Sequence, residues 1–551
     1  MKKMLLILLL ICLQLSTGVK AQEPEEGSVD FEILKNLELF EMVYKKVDME
    51  YVDAPDPGKL MRVAIESMLK ELDPYTNYIP ESMMEEFKLM TTGQYGGIGA
   101  IIRDLGDYVG VIEPHEGYAA QKAGLRAGDL FVEVDGKDVK NLNTDEVSSK
   151  LKGKPGSVVK AKVLREGKFI DVSMIREEVK LSPVPWYGMY DDKIGYIKFT
   201  SFTQTAHADV AKAFFDLKKN KGMRRLILDL RGNGGGLLFE AVKIVNMFVA
   251  KGTPIVSVRG RHPEDDKVYS ASLKPDDLEM PIVVLVDDMS ASASEIVSGA
   301  LQDMDRAVIV GQTSYGKGLV QRPLELKYNA QLKVTIAKYY TPSGRCIQKL
   351  DYTHREDGES AAAISDSLVR KFKTANGRVV LDGRGIEPDV PVEIPNYSRL
   401  TSTLLLNDII FDFATDYRNK HDTILAARKF ALTDELYKEF TDFVMTREFT
   451  YSSESFEKME SLRKTAEDEG LLASANPEFL ALIEKFKPSK ERDMNLYKNE
   501  ITLMLEDEIV GRYYYLTGRI AHSLEKDPFI SAAVEILNDS ARYNKILNKE
   551  N

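Results

Sequence analysis

Cysteine, histidine and tryptophan are scarce in this sequence. Among 551 residues there are two cysteines (Cys12 and Cys346), six histidines and one tryptophan, Trp186. Two thiols exclude a disulfide framework and any zinc site built mainly from thiolates. An excess of positive charge is lacking too: 74 Lys+Arg face 86 Asp+Glu, for a net charge of −12. With no basic tract to reverse that balance, nucleic acid is not an expected partner. Outside the first residues no apolar run approaches membrane length, so no integral span is expected in the mature chain. No fixed-period repeat is present. What remains, 44% hydrophobic and 29% charged residues, describes a globular protein of three or four domains.

Residues 1–21 read as an export signal. Lys2 and Lys3 precede a short apolar run, Met4 to Leu15, and Val19-Lys20-Ala21 resembles a small-residue cleavage site before Gln22. Cys12 lies inside the apolar run behind bulky Ile11, the wrong context for lipid attachment. The expected location is periplasmic or otherwise exported, with an uncleaved anchor as the lesser reading. Residues 29–91 carry helical periodicity, broken at Leu72-Asp73-Pro74-Tyr75-Thr76. Residues 92–178 change to glycine-punctuated short strands. Pro183, Pro185 and Trp186 mark a junction inside the 179–395 segment, where strand and helix signals alternate. Residues 396–551 are rich in Leu, Lys and Glu, nearly free of glycine, and read as helical.

The 92–178 segment contains Tyr95-Gly96-Gly97-Ile98-Gly99, then Ala123-Gly124-Leu125-Arg126-Ala127-Gly128-Asp129 and Phe131 to Gly136. These residues, at this spacing, resemble a PDZ domain. Closely spaced amides in the first glycine cluster can receive a terminal carboxylate, and the following strand edge can add an extended peptide. Read alone, the cluster is equally a tight turn.

Three further segments carry chemistry. A buried-strand pattern, Leu226 to Leu230, runs into Arg231-Gly232-Asn233-Gly234-Gly235-Gly236, which exposes amide donors suited to negative charge. Leu237 stands where a dinucleotide fingerprint needs glycine or alanine. A second strand, Pro281 to Val286, leads to Ser290-Ala291-Ser292-Ala293-Ser294-Glu295. There Ser292 and Glu295 have capping-box spacing, the ordinary explanation of both. The third segment, Gly311 to Gly316 followed by Lys317 and Gly318, nearly spells a phosphate loop. Gly318 replaces the magnesium-binding hydroxyl, and Leu319-Val320 with Pro323 reads as strand rather than helix, so nucleotide binding is rejected. A solvated charge is the ordinary role of a lysine here; one withdrawn from water becomes a neutral amine able to accept a serine proton.

Together these segments resemble the Ser–Lys carboxyl-terminal processing peptidases (tail-specific proteases) over about Leu72 to Val390. Further support comes from Ile194 to Phe199, Tyr339-Tyr340-Thr341-Pro342-Ser343-Gly344 and Gly385-Ile386-Glu387-Pro388-Asp389. The resemblance implies a multidomain α/β chain: a ClpP/crotonase-like protease core, an inserted barrel-like PDZ domain, N-terminal helices and a C-terminal helical domain. It implies Ser292 as nucleophile, Lys317 as general base and Gln321 as its orienting amide. The oxyanion donors it implies are the backbone N–H groups of Ala293 and of a glycine in the Gly234–Gly236 turn, with Gly235 and Gly236 the candidates named and the choice among the three left open. Asp303 matches a supporting position. No metal or cofactor is implied. The substrates would be unfolded or tagged proteins held by their C-termini at residues 95–99; a homodimer and an activating adaptor are left open.

Two competitors stand beside this reading. A Ser-His-Asp enzyme fits poorly, because no histidine has a triad context and no Gly-x-Ser-x-Gly elbow surrounds Ser292. His115 falls within the PDZ-like segment, and the other five histidines are expected on the surface. A noncatalytic PDZ scaffold with a degenerate protease domain has no use for Ser292, Lys317 and Gln321 together.

Overall fold

The computed structural model describes residues 28–353, 361–394 and 396–549. The expected leader with Cys12, and His354, lie outside the described residues. The chain divides into two compact units, 1–78 and 79–551. In the first, α1 (Val29–Glu50) starts where the Ser28 hydroxyl accepts the Phe31 N–H, and α2 (Pro57–Lys70) starts at Asp56 with proline in its first turn. The Asp-Pro break that follows is a local turn: Asp73 accepts the N–H groups of Tyr75 and Thr76 and the Thr76 hydroxyl.

In the second unit, α3 (Met84–Thr92) ends on Gly93 at φ 70° and enters the glycine-punctuated module. Strand β1 (Gln94–Gly97) carries the chain in and β7 (Glu177–Lys180) carries it out, paired antiparallel with each other. Entry and exit are therefore neighbours, which lets the module be inserted without parting the elements on either side. Between them β2 (Ala100–Leu105), β3 (Tyr108–Pro114), β4 (Leu130–Val134), β5 (Val158–Arg165) and β6 (Lys168–Ile175) form an antiparallel sheet in that order. The ladder does not close on itself: β2 and β6 are its edges. Helix α4 (Thr144–Leu151) packs beside β2. The Gly128-Asp129 pair earns its place through Asp129, fully buried and held by two bonds from Arg165, Nε and Nη2, each 2.6 Å.

The 179–395 segment is built on a sheet ordered β8 (Trp186–Met189), β9 (Ile194–Lys198), β10 (Arg225–Asp229), β13 (Ile282–Val286), β14 (Val308–Gly311) and β17 (Val390–Pro391). Only the β8–β9 pair is antiparallel. Side chains alternate along its strands: Leu226, Leu228, Val284 and Val286 face one core, and Ile227, Val283 and Leu285 face another. Burial on both faces is what an all-apolar parallel strand requires. The first face is covered by α5 (Ala206–Phe215), α6 (Leu238–Asn246) and α7 (Ala293–Asp303). A second sheet, made from β11 (Pro254–Gly260), β12 (Lys267–Ser270), β15 (Leu319–Glu325) and β16 (Gln331–Tyr340), pairs antiparallel in the order β15, β16, β11, β12.

The C-terminal region is helical, as its composition predicts. Helices α8 (Arg399–Leu406), α9 (Ile409–Lys420), α10 (Asp434–Met445) and α11 (Lys498–Ser523) share a core around Leu404, Phe413, Phe440 and Leu505. Helix α12 (Pro528–Asn538) leaves that core and covers the second face of the six-stranded sheet with Phe529, Ile530, Ala533 and Ile536. The module reaches this region as well. Helix α11 breaks at Tyr515 (φ 54°, ψ −161°), and Glu113 of β3 accepts the freed Leu516 N–H at 2.9 Å. One expectation fails here: His522 is not on the surface but only 6% exposed, with Nδ1 2.8 Å from the Ala427 carbonyl. Its helix packs inward at that turn, and a single residue type carries no sign of which face does so. No helix among the described residues is long and apolar enough to cross a membrane.

Candidate active site

Parallel register brings the three chemistry-bearing segments together. Asp229 pairs with Leu285, and Val286 with Gly311, so β10, β13 and β14 end side by side. Each end releases one segment: the glycine turn 231–236, the serine turn 287–292 and the lysine loop 312–318. The carboxyl ends of parallel strands are where open α/β sheets place their sites.

The serine trio divides its labour. Ser290 donates its hydroxyl to the Leu230 carbonyl (2.9 Å) and Ser294 donates to the Asn233 carbonyl (2.7 Å), so both tie the serine turn to the glycine turn. Ser292 stands between them, half-buried, at φ 56° and ψ −112°. A non-glycine residue there stores roughly 1–3 kcal/mol of strain, sustained only where surrounding contacts over-determine it. Those contacts are present. Helix α7, whose every residue from Ala293 to Asp303 is buried, begins at once, and the Asn233 carbonyl also accepts the Ala291 N–H at 3.0 Å.

Glu295 has a larger part than its cap spacing suggested. Fully buried, it accepts the Ser292 N–H through Oε2 at 2.7 Å, and the same oxygen accepts the Lys317 N–H at 2.9 Å. Its Oε1 accepts the Gly316 N–H at 2.7 Å and the Ser314 hydroxyl. One carboxylate thus joins the serine turn to the lysine loop. Burial raises its pKa from the ordinary 4.5 by more than the hydrogen bonds from Ser314, Lys317, Ser292 and Gly316 lower it. On the far side, the Tyr339 hydroxyl lies 3.0 Å from the Ser292 carbonyl and 2.7 Å from the Lys317 carbonyl. Lys317 is half-buried rather than enclosed, which leaves the site open to an incoming chain. As expected, Leu319 onward is strand, not helix.

The glycine turn abuts Ser292. A Cβ on Gly235 would stand 2.6 Å from the Ala291 carbonyl and 2.9 Å from both the Ala293 nitrogen and Ser292 Cβ, so only glycine fits. Its N–H, however, is taken by Asn233 Oδ1 at 2.9 Å, an Asx turn that sequence spacing did not reveal. Gly235 is therefore withdrawn as an oxyanion donor. Phe202 engages the Gly235 carbonyl and the Leu237 N–H, which turns the Gly236 N–H the other way. Among the described residues neither the Gly236 nor the Ala293 N–H has a protein acceptor. Gln321 lies half-buried on β15, just past a bulge, and its amide donates to Thr335 Oγ1 at 3.2 Å.

In the module, the Ile98 and Gly99 carbonyls accept the Ala120 and His115 N–H groups, while their own N–H groups have no acceptor among the described residues. Gly99 sits at φ 72° against Tyr118, where a Cβ would come within 2.5 Å. Tyr95, Gly96 and Gly97 belong to β1, and Gly96 lies so close to the Gly153 carbonyl that no side chain fits. The free edge of β2 continues from this loop beside Val147 and Leu151 of α4.

Three family models match the chain: peptidase family S41 over residues 193–354, a PDZ domain over 110–165, and the C-terminal helical domain of probable PDZ-proteases over 400–537. A carboxy-terminal-processing protease of Bartonella bacilliformis is 36% identical over 324 residues, 58% of this chain and 74% of that protein. A probable CtpA-like serine protease of Staphylococcus aureus is 33% identical over 386 residues, 70% of each chain. The chain belongs to the carboxy-terminal-processing serine protease family. Among solved structures, the photosystem II D1 C-terminal processing protease is 29% identical, covering 64% of this chain and 92% of its own, with a TM-score of 0.36.

This serine-type peptidase uses more residues at its site than its motifs announced. Asn233, Ser314 and Tyr339 were not singled out from the sequence. Asn233 could have been, since asparagine two residues before a glycine is a turn-former; Tyr339 could not, because its partners are 47 and 22 residues away. Asp303 supports the fold of the peptidase: it is buried, bonded to Arg345 at 2.8 Å and to the Ser343 N–H at 3.0 Å.

Proposed function

We propose that this peptidase is an exported endopeptidase that captures proteins by their carboxyl ends and cleaves them by a Ser–Lys mechanism. The observation that carries the reading is the single Glu295 oxygen shared by the Ser292 and Lys317 N–H groups. In the reaction, Lys317 in its neutral form takes the Ser292 hydroxyl proton as Oγ attacks the scissile carbonyl carbon. The oxyanion forms against the Ala293 and Gly236 N–H groups, neither of which has a protein acceptor among the described residues. Lysine returns the proton to the leaving amine, and water then releases the acyl group by the same steps. Gln321 orients the lysine. No metal or cofactor enters these steps.

Capture falls to residues 95–99, with the free Ile98 and Gly99 amides toward the terminal carboxylate and the β2 edge toward the substrate strand. The domain limits 92–178 and 179–395, a ClpP/crotonase-like core and a cleaved leader belong to the same proposal; amino-terminal sequencing of the secreted protein should begin at Gln22. Partners under this reading are unfolded or tagged proteins, with a homodimer or an activating adaptor to be sought by sedimentation and pull-down.

An unstructured reporter with a free or an amidated C-terminus tests the whole. Ser292→Ala and Lys317→Ala should each reduce kcat/KM about 10³-fold or more, and amidation should slow the wild type alone. Wild-type turnover by Lys317→Ala would sink the Ser–Lys mechanism; equal cleavage of both reporters would sink terminal capture.

A further inference from the structure

We infer that Tyr339 is a positioning residue of the hydrolytic site, its hydroxyl clasping the carbonyls of the nucleophile and general-base residues while Glu295 clasps their N–H groups. The inference rests on the Ser–Lys reading of the site. Tyr339 stands on β16, 1% exposed, paired with Val258 of β11, and its own N–H donates to the Gly318 carbonyl at 2.9 Å. Its ring is therefore anchored by strand pairing independently of its hydroxyl. That hydroxyl has one hydrogen and two acceptors, the Ser292 carbonyl at 3.0 Å and the Lys317 carbonyl at 2.7 Å. On the other side Glu295 Oε2 meets both N–H groups of the same two residues, at 2.7 and 2.9 Å.

The symmetry has a chemical consequence. Each of the two residues is held at its N–H and at its carbonyl by atoms it shares with the other, so a shift in one backbone is passed to its partner; the Ser292 carbonyl also accepts the Glu295 and Ile296 N–H groups of α7. Ser292 needs this restraint more than most residues, since its left-handed backbone at φ 56° relaxes wherever the surroundings allow. A shift of about 1 Å between reacting groups is worth on the order of 10²-fold in rate. The clasp also stays in one protonation state. Burial, then the neighbouring Glu295 and Cys346, push the Tyr339 hydroxyl well above the ordinary tyrosine range, so it remains a donor at neutral and mildly alkaline pH. The strand that supplies it ends at Tyr340, one residue further on, and so ties the second sheet to the site.

The test compares three replacements of Tyr339 in the full-length protein, assayed well below the midpoint of thermal unfolding: phenylalanine, 4-fluorophenylalanine and 4-aminophenylalanine. Tyr339→Phe and the fluoro variant, which keep the ring and lose the donor, should lower kcat roughly 10- to 100-fold while KM stays within about twofold. The amino variant has a separate hydrogen for each carbonyl and should recover kcat to within about fivefold of wild type. A purely structural tyrosine would instead show lower melting temperatures with an unchanged kcat in the folded protein. Wild-type kcat in a folded donor-free variant overturns the clasp, and so does an amino variant no better than the fluoro one. Should Tyr339→Phe fail to fold, the fluoro and amino pair still decides, because both keep the ring and a small para substituent and only the amino group donates hydrogen bonds. Lys317→Ala runs alongside: an active Lys317→Ala protein indicts the Ser–Lys reading, whereas an inactive one beside fully active Tyr339 variants indicts the clasp alone.

Discussion

Two buried carboxylates stand within one layer of the site, and their surroundings treat them in opposite ways. Asp229, at the end of β10, is fully buried beside cations: Arg231 contributes Nη2 at 2.6 Å and Nε at 3.0 Å, and Lys198 stands at 3.3 Å. Burial works to raise its pKa, yet the charges of Arg231 and Lys198 and the hydrogen bonds from Arg231 and Tyr196 together hold it far below the usual carboxylate range. Glu295, at the start of α7, meets only neutral donors, and burial wins. The difference teaches what each is for. Asp229 neutralises the arginine that opens the glycine turn and docks onto α12, where Arg231 also meets Asp527 at 2.8 Å and lies over the Phe529 ring. Glu295 gathers three backbone N–H groups and the Ser314 hydroxyl, none of which carries a formal charge.

The strongest way to break this contrast is to remove the cation. Arg231→Met keeps the aliphatic stem and strands the Asp229 charge with Lys198 alone, and should cost about 3 kcal/mol, the lower end of the range for breaking a buried pair. Urea unfolding would measure it; a loss under about 1 kcal/mol would mean that Lys198 suffices and the pair is incidental.

A smaller effect is expected from Glu295→Gln. Glutamine retains one acceptor oxygen, but its NH₂ group must face amide donors, so part of the bridge between the serine turn and the lysine loop opens. The expected result is a kcat reduced about tenfold with KM nearly unchanged. Loss of substrate binding instead would show that Glu295 acts on the groove and not on the turn.

The smallest signal separates the two carboxylates by the sign of their pH dependence. Asp229 has a lowered folded-state pKa, so its contribution is complete above the ordinary aspartate value of 3.8 and fades as acid protonates it. Glu295 has a raised one, so its contribution is complete below the ordinary 4.5 and fades as pH climbs through the raised value. Melting temperatures of wild type and Glu295→Gln, compared between about pH 4 and pH 8, should show the wild type losing ground to the variant as pH rises. A constant difference would mean that the fold does not perturb Glu295.

Much of the protease layout was readable from residue order because it is local. Apolar runs such as Leu226–Leu230 and Ile282–Val286, each followed by glycine or serine turns, encode strand, turn and helix within a dozen residues. Ser292 and Lys317 were singled out only through the family resemblance, since alone they read as a helix cap and a solvated charge; the strand after Gly318 followed from Leu319-Val320 and Pro323. Which glycine of 234–236 donates stayed open because three glycines in a row look alike until Asn233 occupies the N–H of one of them. His522 was placed outside because a histidine with no motif around it is expected on the surface, and one residue type does not show which face of α11 packs inward.

By itself the sequence determined the elements, their apolar faces and the residue types at the three turns, since backbone preference and side-chain periodicity act over a few residues. Only the tertiary structure decided which turns meet. Strand order and register set β10, β13 and β14 side by side, a matter of pairing between segments distant along the chain. From that placement came the shared Glu295 oxygen and the Tyr339 hydroxyl between two carbonyls, because a hydrogen bond answers to distance in space and not to separation in sequence.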